Sequence, residues 1–110
     1  MPFFRTASVN EEPEEFIVEW SIREVSIADL PDKTHHLVGY IMRQRLGRVS
    51  SVIQSFDRDH MRIITRSGRI YHLQGQPGFN PDAEYVWEHW KAINDIKDEV
   101  NVTNEYYQVH

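Results

Sequence analysis

The chain contains no cysteine. Disulfides, thiolate metal sites and cysteine nucleophiles are therefore excluded. Lysine is missing from the middle of the chain, where every positive side chain between residues 40 and 74 is an arginine: Arg43, Arg45, Arg48, Arg58, Arg62, Arg66 and Arg69. Long apolar runs are lacking as well. The opening MPFFRTASVNEE has none long enough for a signal peptide, and no later stretch could span a bilayer. The expectation is a soluble cytoplasmic protein with no membrane partner. No glycine-rich loop precedes a helix, which argues against a nucleotide-phosphate cradle; GQPG at 75–78 has the wrong flanks. No serine sits in a nucleophile elbow, and no histidine pair has HxH or HExxH spacing.

What remains is 110 residues with 40% apolar and 12% aromatic content, enough for one small globular domain. The formal charge of −5 is unevenly spread. Residues 1–32 carry eight acids against two arginines, residues 40–74 seven arginines against Asp57 and Asp59, and residues 75–110 seven acids against two lysines. A basic middle thus lies between acidic ends.

Periodicity organises the chain. SVNEEPEEF is acidic and poor in apolar residues, so residues 1–15 are expected to form a flexible acidic arm. Phe16, Val18, Trp20 and Ile22 then alternate with Glu19, Ser21 and Arg23, as in a half-buried strand whose alternation only Ile17 breaks. Further strands are read over 35–44, 48–56, 60–66 and 69–73. Gly39 inside the second marks a bulge or the close approach of another backbone, and Gly47 is read as a turn. Asn80, Pro81, Asp82 and Glu84 signal a helix start. Ala83, Val86, Trp87, Trp90 and Ile93 continue it to about Lys97 as an apolar stripe. Trp87 and Trp90 are expected in the core, clustered with Trp20. Residues 16–97 are read as the single globular domain, and 98–110 as a tail or short edge strand.

The hairpin RIITRSGRIYHL has one well-sorted register. A two-residue loop at Ser67-Gly68 would set Arg66 against Arg69 and mix charged with apolar residues on both faces. A three-residue loop of Arg66, Ser67 and Gly68 puts Gly68 at the left-handed position of a bulged turn. Met61–Leu73, Ile63–Tyr71 and Thr65–Arg69 then share one side, and Ile64–Ile70 with Arg62–His72 the other.

The expected fold is α+β: a strongly bent antiparallel meander of about five strands, with a small SH3-like barrel as one form it can take, and one C-terminal helix packed across it. So short a sheet encloses little cavity, and the expected role is non-catalytic, with no cofactor and no metal. The expected function is a binding or regulatory module recognising an acidic protein partner through an arginine-rich sheet face. Arg62, Arg66 and Arg69 would supply polar anchors beside His72, and Ile64 or Tyr71 the apolar one. The alternative is single-stranded nucleic-acid binding by the same face. The competing structural reading is that these arginines pair internally with the protein's own acids. An uncovered edge at the fifth strand or the C-terminus would allow a homodimer by edge pairing.

Overall fold

A computed structural model describes residues 10, 11 and 13–108. Positions 1–9 and 12 of the expected arm, and 109–110 of the expected tail or edge strand, lie outside the described residues. The elements run β1 (Glu14–Val25), β2 (Thr34–Ile41), β3 (Leu46–Val49), β4 (Ile53–Asp57), β5 (Arg62–Thr65), β6 (Ile70–Leu73), α1 (Pro81–Ile93), β7 (Glu99–Asn101) and α2 (Thr103–Tyr106).

The α+β class stands, but the sheet is neither a simple meander nor a closed barrel. Its seven strands run in the order β3-β2-β1-β6-β5-β4, with β7 added to β1. β1 organises it. Its first four residues pair in parallel with β6, Glu14 opposite Ile70 through Ile17 opposite Leu73. From Val18 onward it pairs antiparallel with β2, and residues 23–25 pair with β7 on the other edge. The fifth expected strand, β6, is therefore interior to the sheet. The expected third strand is two: the chain leaves β3 at Ser50 and re-enters the other half of the sheet as β4. Gly47 lies inside β3, and the turn before it falls at residues 42–45, with Arg45 at φ 55°.

One local irregularity lets β1 serve both halves. The β1–β2 register slips between Val18 and Ser21, where Glu19 adopts φ 48°. A bulge of this kind inserts one residue and reverses which side chains face inward. Before it, Glu15 and Ile17 are buried and Phe16 is exposed; after it, Trp20 and Ile22 are buried. Ile17, which looked like an interruption of the alternation, is the inward residue, and Phe16 is the outward one. Gly39 lies opposite the bulge. A Cβ there would stand 2.7 Å from Ile17 Cδ1 and 3.1 Å from Trp20 Cα, so the close backbone approach read at this glycine is observed.

The two halves of the sheet fold over a core of Ile17, Trp20, Ile22, Leu37, Ile41 and Ile63, with Tyr71 and Leu73. On the opposite side of β2 and β3 lies a second cluster of Val25, Val38, Ala83 and Trp87, sealed by α1. Asn80 caps α1 by accepting from the Ala83 amide at 3.0 Å, and Pro81 opens it. The helix ends at Ile93, short of Lys97, and Ile93 is exposed. Trp87 is fully buried, with Trp90 stacked on it at 5.1 Å. Trp20 belongs to the other core, so the three tryptophans divide between two clusters. Of the segment read as a tail or short edge strand, residues 99–101 form the short strand β7 on β1, and Thr103–Tyr106 form α2. No helix among the described residues is long and apolar enough to cross a membrane.

Candidate functional site

The β5–β6 hairpin has the three-residue loop. Arg62 faces His72, Ile63 faces Tyr71 and Ile64 faces Ile70. Gly68 takes φ 93°, its amide donates to the Thr65 carbonyl at 2.8 Å, and the Thr65 amide donates to the Arg69 carbonyl at 3.1 Å. Because side chains alternate along a strand, this register sorts the hairpin into an inner and an outer face.

The outer face spans four strands in two rows. One row runs Asp57, Arg62, His72, Phe16 and the other Ser55, Ile64, Ile70, Glu14 across β4, β5, β6 and β1. Arg62 donates to Asp57 Oδ2 at 2.8 Å, and His60 Nδ1 lies 2.9 Å from the same oxygen. The Arg62 guanidinium, with lesser help from His60, lowers the Asp57 carboxyl to about 2. His72 Nε2 lies 2.7 Å from Glu14 Oε1, and its ring stacks on Phe16 with centroids 4.7 Å apart and planes 20° from parallel. Phe16 remains 54% exposed and Ile64 39%. Helix α1 packs on the other half of the sheet, so it leaves this face open.

Four of the six residues expected at the site come together here: Arg62, Ile64 and His72 on the face, and Arg66 exposed at its rim with no ion pair among the described residues. The other two are inside. Arg69 is 4% exposed and Tyr71 2%. The register that turns Ile64 and His72 outward necessarily turns Thr65, Arg69 and Tyr71 inward, so neither can touch a partner at the surface. Phe16 and Glu14 were missed. The signal for them was Ile17, whose break in alternation reports a change of phase along β1.

Three arginines of the middle, Arg43, Arg48 and Arg62, bond to groups of the protein itself. Glu15, 1% exposed, accepts from Arg43 Nη2 at 2.6 Å and Gln44 Nε2 at 3.3 Å. Gln44 Oε1 in turn accepts from Arg48 Nη2 at 3.1 Å, and Arg48 Nη1 donates to the Tyr71 hydroxyl at 3.3 Å. Buried Arg48 is thus held within a polar network, as a buried charge requires. Arg23 performs a similar task elsewhere: its Nη2 meets Glu84 at 2.6 Å, its Nη1 meets Glu99 at 3.1 Å, and its Nε donates to Ser21 Oγ at 3.1 Å. Glu99 also accepts from Trp87 Nε1 at 3.0 Å and pairs with Lys91. Burial works against ionisation of Glu99, yet the bonds from Lys91, Trp87 and Arg23 keep its carboxyl below the usual range. This network ties β1, α1 and β7 together.

A second polar chain, not evident in the sequence, runs from Glu24 through His35 to Tyr106. His35 Nε2 lies 3.0 Å from Glu24 Oε2, and His35 Nδ1 lies 2.5 Å from the Tyr106 hydroxyl. The bond from His35 lowers the Glu24 carboxyl, whereas burial raises the Tyr106 phenol. These bonds fasten α2 to β1 and β2. Among the described residues, no three or more histidine or acidic side chains converge as they would to hold a metal ion. No family model, no curated protein and no solved structure matches this chain.

Proposed function

We propose that the protein is a non-catalytic binding module that recognises an acidic, partly apolar segment of another protein on the outer face of β1, β4, β5 and β6. The observation that carries this reading is Phe16 lying flat on His72 in line with Arg62, beside Ile64, on a sheet face that no helix among the described residues covers. Aromatic side chains and arginine are enriched at protein interfaces, and Phe16 and Arg62 stand on this face together. Charge complementarity selects the acidic partner. Asp57 and Glu14 are occupied by Arg62, His60 and His72, which leaves Arg66 at one end of β5 to meet incoming carboxylates.

Single-stranded nucleic acid has weaker support. With Arg69 buried and Arg62 paired, the face retains few cations to follow a phosphate backbone, although the Phe16–His72 stack offers a base a flat surface.

The test is a ¹⁵N-resolved titration with acidic peptides containing one aromatic residue, with basic peptides and oligothymidylate in parallel. Acidic peptides are expected to shift amides at residues 14–16, 62–66 and 70–72. The F16S/I64S pair, both exposed, should weaken binding roughly 30-fold or more without unfolding the protein. Preferential binding of oligothymidylate at the same residues would transfer the face to nucleic acid. Peptide shifts confined to other surfaces would remove the proposal altogether.

A further inference from the structure

A cleft on a different part of the molecule has the composition of a ligand site. It measures about 440 Å³ and is lined by Ser21 of β1, the connector residues Gln76, Pro77 and Gly78, and Asn101, Thr103, Asn104 and Tyr107 around α2. It shares no residue with the outer sheet face. Its size falls within the range of small-molecule pockets, roughly 300–1,000 Å³. No aspartate, glutamate, lysine, arginine or histidine lines it, in a chain of which 26% is charged.

The walls are fixed before any ligand arrives. The Gly78 amide donates to the Trp20 carbonyl at 2.9 Å, and Trp20 Nε1 donates to the Gly75 carbonyl at 3.2 Å, which holds the connector against β1. On the other side, the Val102 amide donates to the Ile22 carbonyl at 2.8 Å and the Ile22 amide to Thr103 Oγ1 at 2.9 Å. Asn101 Oδ1 accepts from both the Thr103 amide, at 3.0 Å, and the Thr103 hydroxyl, at 2.6 Å. A pinned site avoids the entropy cost of ordering its own walls on binding.

Several hydrogen-bonding groups are left over. Asn101 spends its oxygen on Thr103 but retains both amide hydrogens, and the amides of Gln76 and Asn104 have no partner among the described residues. The nearly buried Ser21 hydroxyl accepts from Arg23 Nε at 3.1 Å and keeps its own hydrogen to donate. Amides and hydroxyls both donate and accept, as a sugar hydroxyl does. Pro77, Gly78 and the Tyr107 ring add apolar surface suited to the C–H face of a sugar ring. A peptide backbone fits less well, because the wall amides at Gly78 and Val102 already pair with β1 and present no free strand edge. An ion would find no opposite charge among the lining side chains.

We infer that this cleft binds a neutral sugar of one or two rings, recognised by the side-chain amides of Gln76, Asn101 and Asn104 with the Ser21 hydroxyl and the Tyr107 ring. The experiment is a ¹⁵N-resolved titration of the full chain with glucose, galactose, N-acetylglucosamine, maltose and cellobiose; glucuronate and glucosamine serve as charged counterparts. At least one neutral sugar should give saturable shifts in the side-chain NH₂ signals of Gln76, Asn101 and Asn104, with millimolar affinity. The Q76A/N104A variant alters two exposed side chains and should fold normally while binding roughly tenfold more weakly. The inference is overturned if every neutral sugar leaves those signals unmoved, if the charged sugars bind as well as the neutral ones, or if Q76A/N104A binds like wild type.

Discussion

Replacing Glu15 by alanine tests whether the acidic N-terminal segment belongs to the fold. Its carboxylate is buried, accepts from Arg43 and Gln44, and through Gln44 helps to hold buried Arg48. The Arg43 contribution is modest because that side chain is 67% exposed, and such pairs contribute about 0.2–1 kcal/mol. A hydrogen bond to a charged acceptor such as Gln44 makes to Glu15 is worth about 1.5–3 kcal/mol. Truncation also leaves the buried guanidinium of Arg48 with a loosened neighbour. The expected loss is about 3 kcal/mol, the small Arg43 contribution added to that of the hydrogen bond from Gln44 to the buried carboxylate. In urea unfolding at neutral pH this should lower the midpoint by roughly 1–3 M with no change of slope. In thermal melts it should lower Tm by roughly 12–20 °C. The E15A/R43A cycle should return a coupling below about 1 kcal/mol, because most of the effect passes through Gln44. A loss under about 1 kcal/mol in E15A would refute the reasoning: Glu15 would then be an arm residue, and the parallel β1–β6 pairing would begin no earlier than Phe16.

Three further outcomes are expected. Gly39→Ala should cost about 1–3 kcal/mol in chemical denaturation, because the new methyl meets Ile17 and the Trp20 backbone; a neutral result would mean that the β1 bulge is not held as described. Gly68→Ala should cost about 1–2 kcal/mol for forcing a side chain into φ 93°, whereas Ser67→Ala, one residue earlier on the same loop, should cost less. His36 sets a pH dependence. Burial lowers its pKa from the ordinary 6.5, with partial opposition from its bond to the Ser50 carbonyl. The unfolded chain therefore binds the proton more readily, so the stabilisation is complete above pH 6.5 and is lost as pH falls toward the folded value. Subtracting H36F from wild-type stability between pH 7.5 and 5 should isolate that slope, and a flat difference would remove His36 as its source.

The parts of this protein legible in the sequence are those set by neighbours a few residues apart. The three-residue hairpin loop followed from where glycine is cheapest and where like charges would collide, and every observed β5–β6 pair agrees with it. The helix start followed from Asn80 and Pro81, and the burial of Trp87 from its place on the stripe. Gly39 correctly announced a close backbone. The same hairpin register also turned Arg69 and Tyr71 inward, so their place in the candidate site conflicted with information already in the chain.

Only the tertiary structure decided which edges meet. Parallel pairing of Glu14–Ile17 with β6 joins segments more than fifty residues apart, and nothing local to either segment specifies it. That pairing drew Glu15 out of the expected arm into a buried polar network and turned Phe16 onto the outer face. The bulge at Glu19 reverses the inward phase of β1, and it is accommodated because Gly39, on another strand, has no side chain to obstruct Ile17. The arginines followed the same logic. Their identity was plain from the sequence, but whether each meets water, a carboxylate or a tyrosine hydroxyl depends on long-range packing, since a guanidinium takes whichever acceptor the fold brings within reach.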